Sequence, residues 1–488
     1  MTTRTIAHPS SPTFPRMVGP SAGVILALVA AVISALLILL MGFWALLVPL
    51  YAALLGGAVF APRKFVFVLI VLTVAIEPAA IDFTSPLSNA LYVMPPALKG
   101  AFPLTISPVE LLLVITAASL WCRPSLSERK MPPVIWLVPI ALAAGLFYGT
   151  SNGGKSNLGY NEARGLIYGC AAFAIAARMG INHARPIRIA ILAGGLALSL
   201  IVIARYIVFF RSGSYTYSLE ASFAHEDSAL LGIAFMTSCA LLVRTKSMSP
   251  RLFLILNNLI ILAAVMSSAR RSGFLVLFVG GLVMAWLLLP KRPHLVLAVM
   301  IPVLTIGSVY LAAYWNKDYG AVAEPARAIR SQIDPSARDE SSDQYRATEK
   351  FDVEQTIWAN RLFGVGFGRP FTNYLPLPDL TAFWSLQFYT PHTNVLWLWL
   401  KMGIFGITAC LSLWVVALKR CLVAFRSKPR AHPVPVLPLI LACTLVMYLA
   451  YARVDLALIG TRSMAPFAAA VALALCLPPS RPRQEVSK

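Results

Sequence analysis

The stretch PHTNVLWLWLKMGIFG, residues 391–406, joins the polar residues His392, Thr393 and Asn394 directly to a run of large apolar side chains that contains Lys401. Comparable apolar runs recur along nearly the whole chain. Of its 488 residues, 58% are hydrophobic and only 12% are charged, and the mean hydropathy is +0.74. This composition excludes an ordinary soluble globular protein. It predicts an all-α, polytopic integral membrane protein, because runs of this length can cross a bilayer as helices.

The apolar runs predict about 14 transmembrane helices (12–14), of which the first two are nearly continuous in sequence. The predicted spans are 22–40, 43–60, 65–80, 105–122, 132–148, 162–178, 188–209, 228–243, 252–268, 272–289, 294–314, 392–417, 433–451 and 456–477. Together they predict one integrated membrane domain in three parts: helices 1–11 within residues 1–314, a large periplasmic loop with short helices at 315–391, and helices 12–14 with a cytoplasmic tail at 392–488.

The net charge of +21 follows from membrane topology rather than from nucleic-acid binding. With both termini in the cytoplasm, the short cytoplasmic loops collect most of the basic residues, as the positive-inside rule predicts. These clusters are Arg63/Lys64, Arg123–Lys130, Arg178–Arg188, Arg244–Arg251, Lys291/Arg292, Lys419–Arg430 and Arg481–Lys488. A nucleic-acid partner is therefore not needed to explain the charge.

The loop at 315–391 holds half of the twenty acidic residues and is predicted to be structured. Ala347, Phe351, Trp358 and Leu362 recur at near-helical spacing, which predicts an apolar stripe lying on the membrane face or on other spans. The glycines of RLFGVGFGRP, residues 361–370, permit tight turns. A loop of this length in a compact protein is typical of a lid or a binding element.

A group of cations lies on the predicted outer side, where the topology does not favour them. Arg164, Arg205, Arg270 and Arg271 are at or near the outer ends of spans. Arginine presents a planar fork of donors that suits phosphate oxygens, and ionisable groups at membrane depth are costly unless they are paired or used. The group predicts an outward-facing site for an anionic, phosphate-bearing, lipid-linked ligand.

Structural explanations compete for several of these cations. Arg211 can pair with Glu220, Arg453 can pair with Asp455, and Arg205 can extend to the outer interface. Arg462 flanks the last outer turn without a defined role. Arg270 and Arg271 have no nearby acid in sequence, which favours a functional role for them.

His392 lies at the predicted water boundary, where a neutral imidazole can accept a proton while Thr393 and Asn394 orient a sugar hydroxyl. A helix-capping role is the simpler alternative for this histidine. Glu226 and Asp227 lie at the mouth of span eight beside His225, where they neutralise the arginines, bind an acceptor sugar, or simply begin the helix near its dipole. Lys401, deeper in its span, requires a carboxylate, carbonyls or a wet cavity.

Neither a metal nor a cofactor is predicted. The seven cysteines fall in or beside spans without metal-ligand spacing, and they are interpreted as small core residues. The chain contains no GxGxxG, P-loop, HExxH or paired CxxC motif.

Three segments, in this order, resemble the O-antigen ligase and polymerase superfamily of bacterial envelope enzymes. They are SSARRSGFLVL at 267–277, ANRLFGVGFG at 359–368 and HTNVLWLWLKMGIFG at 392–406. In the last segment His392, Leu396, Gly403 and Gly406 keep the family spacing. In the first segment Arg271, followed by Ser272 and Gly273, is the better match to the family arginine.

The resemblance implies a GT-C-like fold in the bacterial inner membrane with its active site on the periplasmic side. It implies metal-independent, inverting glycosyl transfer from an undecaprenyl-diphosphate-linked oligosaccharide, with a chain-length regulator and a flippase as protein partners. His392 and Arg271 are then the catalytic residues. Arg164, Arg205, Arg270 and Arg271 grip the diphosphate, and Thr393, Asn394, Glu226 and Asp227 contact the acceptor.

Three functions follow from the sequence. The favoured one is a polymerase that joins lipid-linked repeat units into O-antigen, capsule or exopolysaccharide. The alternative within the family is a ligase that moves finished glycan to lipid A-core. A permease or flippase is the rival of a different class, and it is disfavoured because the unusual cations gather toward the outer face and no internal repeat is evident.

Overall fold

The computed structural model describes residues 47–78, 83–93, 106–124, 131–211, 224–268, 270–317, 322–335, 337–382, 384–427 and 434–478. Within these ranges the regular structure is entirely helical, so the predicted all-α class is confirmed. The α-helices are α1 Leu47–Phe60, α2 Pro62–Ala75, α3 Ser85–Tyr92, α4 Pro108–Trp121, α5 Leu137–Ser151, α6 Ser156–Met179, α7 Ala184–Arg211, α8 Asp227–Arg244, α9 Met248–Ser267, α10 Arg271–Leu288, α11 Pro293–Tyr314, α12 Glu324–Arg330, α13 Ala337–Ala359, α14 Asn394–Arg426, α15 Val436–Val454 and α16 Thr461–Leu475.

The chain divides into two compact units, residues 1–57 and 58–488. Of the first unit the structure describes only the beginning of α1. All of the predicted site residues lie in the second unit, which contains the packed helical bundle.

Eight segments of the described chain are long and apolar enough to cross a membrane. They are α8 to α11, α14, α15, and α5 and α7 with the short turns that precede them. Three shorter apolar helices lie at Pro49–Phe60, Pro108–Trp121 and Thr461–Leu475. The protein is therefore polytopic, whereas the count of fourteen stays a prediction. The predicted span at 22–40 lies outside the described residues.

Glycines allow α6 and α16 to pack closely. A Cβ atom on Gly165 would overlap the carbonyl groups of Leu458 and Ile459, and one on Gly169 would lie 2.8 Å from Cγ of Met464. Small residues at such contacts let helix backbones approach in a membrane, where packing replaces much of the hydrophobic driving force. The α6–α16 contact holds the turn before α16 against the bundle.

The glycine-rich turn at 364–368 is a packing element rather than an open loop. Gly364, Gly366 and Gly368 have φ values of 68°, 83° and 82°, a region that residues with a Cβ rarely adopt. The Val365 amide donates to the Leu400 carbonyl at 2.7 Å, and the Phe367 amide donates to Gly145 at 3.2 Å. These bonds satisfy the irregular backbone where it enters the bundle.

The turn also explains a break within α14. Gly403 has φ 66° and ψ −169°, so α14 is two helices joined by a kink. A Cβ atom on Gly403 would overlap the Leu362 carbonyl, and the Ile404 amide donates to Arg361 at 3.0 Å. The predicted span at 392–417 is thus a kinked helix that reaches Arg426.

Lys401 has the carboxylate partner that its position requires. Its Nζ lies 2.7 Å from Oε1 of Glu162, and both side chains are fully buried. Lys401 also donates to the Arg369 carbonyl, while the Gly368 amide donates to Glu162. The pair ties α6, α14 and the glycine-rich turn together, so the predicted need of Lys401 for a carboxylate or carbonyl partner is confirmed.

The predicted apolar stripe of the loop lies on α13, with Leu362 in the turn that follows, and it is exposed. Phe351, Trp358 and Leu362 are 42%, 53% and 59% exposed. Trp358 is near Trp399 of α14, with 6.4 Å between ring centroids, but the stripe does not bury itself against the spans. The contact at Trp358 places one residue of the stripe on a span, and the location on the membrane face stays a prediction.

The opposite face of α13 is buried and carries polar residues beside the apolar Val353 and Ile357. Oδ1 of Asp352 accepts bonds from the amides of Tyr374 and Leu375 at 3.0 and 2.9 Å, and Oγ1 of Thr356 accepts from the Thr372 amide at 3.0 Å. This face fixes the returning chain that leads to residue 392. Glu349 lies on the same face, one turn earlier than Asp352.

Candidate active site

His392 and Glu349 form a buried dyad between the end of the loop and α13. Nδ1 of His392 lies 3.0 Å from Oε2 and 3.2 Å from Oε1 of Glu349, and the His392 amide donates to Oε2 at 2.9 Å. The side chain of Glu349 is 2% exposed and that of His392 is 18% exposed. The carboxylate thus holds both the backbone and the ring of the histidine.

The dyad determines which ring nitrogen is available for chemistry. A carboxylate can only accept hydrogen bonds, so the geometry assigns the proton to Nδ1 and leaves the lone pair on Nε2. Partial exposure of the ring allows a second molecule to approach it. This arrangement is suited to general-base work, with Glu349 stabilising the imidazolium that forms.

Aromatic rings enclose the imidazole. The Trp384 and Tyr345 rings meet it edge-on at centroid distances of 5.5 and 6.0 Å. Gln387 donates to the Tyr345 hydroxyl at 3.1 Å. Burial raises the pKa of Tyr345, and the neighbouring Glu349 charge acts in the same direction. The phenol therefore stays neutral beside the carboxylate.

Arg271 is held by the helix that carries Glu349. Its guanidinium lies 3.4 Å from Oδ1 of Asp343 and 3.3 Å from Oγ of Ser331. Asp343 and Glu349 are six residues apart on α13, which corresponds to about 9 Å along the helix axis. The two predicted catalytic residues, Arg271 and His392, therefore both contact α13.

Arg270 points to a different cluster. Its Nη1 lies 3.1 Å from Nδ1 of His225, which is itself 2.7 Å from Oδ1 of Asp455. Asp455 therefore pairs with His225 rather than with Arg453, which is exposed. The alternative pairing predicted for Arg453 is wrong.

Arg164 and Arg205 lie in separate ion pairs. Arg164 binds Glu110 with two nitrogens, one of them at 2.6 Å, and Thr461 donates to the same carboxylate at 2.8 Å. Arg205 is 3% exposed and lies 2.7 Å from Oε2 of Glu77. An interfacial position for Arg205 is therefore wrong. Binding of diphosphate by either residue stays a prediction.

The predicted acceptor residues Thr393 and Asn394 begin α14. Asn394 is fully buried: its Oδ1 accepts from the Leu458 amide at 2.7 Å, and its Nδ2 donates to the Pro391 carbonyl at 3.0 Å. Asn394 thus fixes the turn between α15 and α16. Thr393 is partly buried at the start of the helix and makes no side-chain capping bond.

Glu226 and Asp227 lie at the start of α8. Asp227 pairs with Arg462, which is 1% exposed and also donates to the Thr73 and Val74 carbonyls at 2.9 and 2.7 Å. Ser463 donates to Glu226 at 3.4 Å. Burial raises the pKa of Glu226 to about 7. The pair of Asp227 and Arg462 is a structural centre of the bundle, and sugar binding by Glu226 and Asp227 stays a prediction.

The predicted pairing of Arg211 with Glu220 concerns side chains that the structure does not describe. The side chain of Arg211 and the whole of Glu220 lie outside the described residues.

Glu349 is the functional candidate that the sequence reasoning missed. It was one acid among many in the loop, and it lies 43 residues before its histidine. The available signal was helical spacing: Tyr345, Glu349, Asp352 and Thr356 share the face opposite the apolar stripe. A polar face of that kind, opposite an apolar stripe, is a signal that its side chains have partners elsewhere in the fold.

A comparison with known protein families matches the part of the chain that contains the candidate site. Residues 256–411 match the O-antigen ligase family. The match confirms the predicted resemblance to the O-antigen ligase and polymerase superfamily. The matched O-antigen ligase segment contains Arg270, Arg271, Glu349 and His392 and omits His225 and Asp455. No curated protein matches the chain.

Proposed function

We propose that the protein is a polysaccharide polymerase of the bacterial inner membrane. It joins undecaprenyl-diphosphate-linked oligosaccharide repeat units into O-antigen, capsule or exopolysaccharide at the periplasmic face. Both termini are cytoplasmic in this proposal. The O-antigen ligase match supports glycosyl transfer in general, and the dyad of His392 and Glu349 is the observation that carries the proposal.

The reaction follows from the geometry of the dyad. Nε2 of His392 takes the proton of an acceptor hydroxyl as its oxygen attacks the anomeric carbon of the donor sugar. A new C–O glycosidic bond forms on one face while the bond to the diphosphate oxygen breaks on the other, so the configuration inverts. The diphosphate leaves with the electron pair, and Glu349 stabilises the imidazolium until it releases its proton.

Arg271 is suited to the leaving group. A guanidinium placed where negative charge develops lowers the barrier by about 3 kcal/mol. Arg271 is only partly buried, with 23% of its side chain exposed, so an anion can reach it. Asp343, its carboxylate neighbour, is 45% exposed and binds it at 3.4 Å, which leaves the arginine room to exchange partners.

An apolar cavity supports a lipid-linked substrate. It has a volume of about 370 Å³ and lies between α5, α6, α14 and α16. Its lining runs from Leu458 and Leu398, beside the turn that Asn394 holds, to Trp121 and Ala177. A hydrocarbon chain fits such a lining, and we assign the cavity to part of the carrier lipid.

Glycolipid profiling of a deletion strain separates the polymerase from the ligase. Loss of a polymerase leaves single repeats on the lipid carrier. Long chains that are made but never attached to lipid A would instead identify an O-antigen ligase. The profile therefore decides between the two family activities.

Reconstitution separates either enzyme from a permease. Purified protein is placed in vesicles with lipid-linked oligosaccharide on both sides, and glycan length and sidedness are followed together. Longer glycans are the expected result. Movement of the oligosaccharide across the bilayer without bond formation would reject the proposal.

A further inference from the structure

A second histidine and carboxylate dyad lies outside the O-antigen ligase match. Nδ1 of His225 is 2.7 Å from Oδ1 of Asp455, and Nη1 of Arg270 is 3.1 Å from the same ring nitrogen. The three residues come from the start of α8, the turn before α10 and the end of α15. Neither His225 nor Asp455 takes part in the His392 dyad.

The backbone around His225 is held in place from two sides. The Tyr451 hydroxyl donates to the His225 carbonyl, and the Ala224 amide donates to Oε2 of Glu77 at 3.4 Å. Asp455 also accepts from the Leu456 amide at 2.8 Å. The dyad is thus built into the bundle.

The part of this cluster that reaches the surface is the imidazole of His225. Asp455 is 5% exposed, whereas the His225 side chain is 40% exposed. Burial alone would raise the pKa of Asp455, but the hydrogen bond and charge of His225, with the charge of Arg270, hold it below its usual range. An ionised Asp455 accepts a hydrogen bond from Nδ1–H, which leaves Nε2 for a second partner.

We infer that His225 and Arg270 bind a phosphate of the donor's lipid diphosphate, with Asp455 as the buried group that positions the imidazole. Guanidinium and imidazolium groups both donate charge-assisted hydrogen bonds to phosphate oxygens. In the bound state the imidazolium donates from Nε2 to a phosphate oxygen. This inference rests on the proposed function, because it names the site for the donor of that reaction.

The location suits a donor that must meet the first dyad. Arg270 and Arg271 are adjacent, with about 3.8 Å between their Cα atoms. One faces His225 and the other faces α13, which holds His392 through Glu349. A diphosphate bound at Arg270 is therefore held one residue away from Arg271, which contacts the helix that carries Glu349. His225 serves binding, while His392 serves proton transfer.

The test measures binding and transfer separately. Detergent-purified protein is titrated with undecaprenyl diphosphate, inorganic pyrophosphate and phosphatidylglycerol. His225→Ala and Arg270→Ala are each expected to weaken undecaprenyl diphosphate binding by about 10-fold or more, the loss typical of a hydrogen bond to a charged group. In transfer assays, His225→Ala should raise the donor KM more than it lowers kcat, and His225→Gln, which keeps an N–H donor, should recover part of the affinity.

The matched control is Arg453→Ala, which removes an exposed arginine two residues before Asp455. It should bind undecaprenyl diphosphate like the wild type, and all variants are compared by thermal unfolding. Weakened pyrophosphate binding in the same variants supports a site for the diphosphate itself. Unchanged undecaprenyl diphosphate affinity in His225→Ala and Arg270→Ala would overturn the inference, as would loss of phosphatidylglycerol binding alone.

The design also separates this inference from the proposed function. His392→Gln should abolish transfer and keep undecaprenyl diphosphate affinity. One result would separate the two proposals: the wild-type protein transfers no glycan, and His225→Ala binds undecaprenyl diphosphate more weakly than the wild type. The proposed function then fails and the phosphate site stands.

Discussion

At the residue scale, the account depends on the carboxylate that orients His392. Glu349 fixes the ring through Nδ1, at 3.0 Å, and fixes the backbone through the His392 amide, at 2.9 Å. Glu349 touches neither substrate in the proposed reaction, so it is a positioning residue. Its contribution is a correctly oriented base with the correct tautomer.

Glu349→Gln tests that role. The amide can no longer stabilise an imidazolium, and we expect kcat to fall by about 10²- to 10⁴-fold, the range of general-base catalysis. The matched control is Glu354→Gln, which changes a half-exposed acid on the same helix that pairs with Lys350 at 3.7 Å. Equal rates for wild type and Glu349→Gln, measured in vesicles, would contradict the assignment.

A second prediction concerns the buried pair of Lys401 and Glu162. Removing one partner leaves a buried charge, so Glu162→Gln should lower the free energy of unfolding by about 3–5 kcal/mol. The double substitution Glu162→Leu with Lys401→Met should lose less than either single change. Unfolding of the purified variants in detergent checks both. Additive losses in the double variant would show that the two groups do not act as a pair.

At the element scale, the glycine-rich turn and the kinked α14 fit each other. Gly366 has φ 83°, and a Cβ atom there would overlap the Gly149 backbone. The segment between α13 and α14 can therefore return to the bundle only with glycine at this position.

Gly366→Ala should lower stability by about 1–3 kcal/mol or more, from backbone strain and overlap. Gly281→Ala is the matched control, because nothing lies within 4 Å of a Cβ atom there. Melting temperatures of the two variants in one detergent provide the comparison. A Gly366→Ala protein as stable as Gly281→Ala would show that the turn is not packed as described.

The exposed stripe on α13 is the third feature at this scale. Lipid contact would explain why Phe351, Trp358 and Leu362 are exposed while the polar face is buried. In vesicles with brominated acyl chains, we expect the emission of Trp358 to be quenched. This emission is the difference in fluorescence between the wild type and Trp358→Phe. If Trp358 emission is unaffected by brominated lipid, the stripe does not lie on the membrane.

Much of the element order could be predicted because membrane helices follow from local composition. Each predicted span from 43–60 onward overlaps a helix of the structure. The number of spans could not be fixed, since helices such as α4 and α16 are 14 and 15 residues long, shorter than a bilayer requires when straight. Length and burial depend on neighbouring helices, which local composition does not contain.

The site was only partly predictable for a related reason. His392 and Arg271 lie in segments with motif spacing. By contrast, Glu349 is 43 residues from its partner His392, and Glu162 is 239 residues from its partner Lys401. Ionic pairs over such distances depend on the tertiary fold. The separate ion pairs of Arg164 and Arg205 show the same limit, because their partners Glu110 and Glu77 are 54 and 128 residues away.

At the scale of the whole molecule, the buried charges divide into two kinds. Arg462, Arg205 and Lys401 are almost fully buried and paired with acids, so they hold helices together. Arg270 faces the His225 dyad, and Arg271, the next residue, faces Asp343 on the helix that carries Glu349. The described helices are thus held together by buried ion pairs, and two adjacent arginines link the His225 dyad with α13.

The central claim is that His392 transfers the proton of the acceptor hydroxyl. The most direct measurement is single-turnover glycan extension by purified protein in vesicles, with a defined lipid-linked repeat unit and with His392→Ala beside the wild type. The account predicts extension by the wild type and none by His392→Ala at equal amounts of folded protein and equal undecaprenyl diphosphate affinity. Wild-type extension by His392→Ala would contradict it.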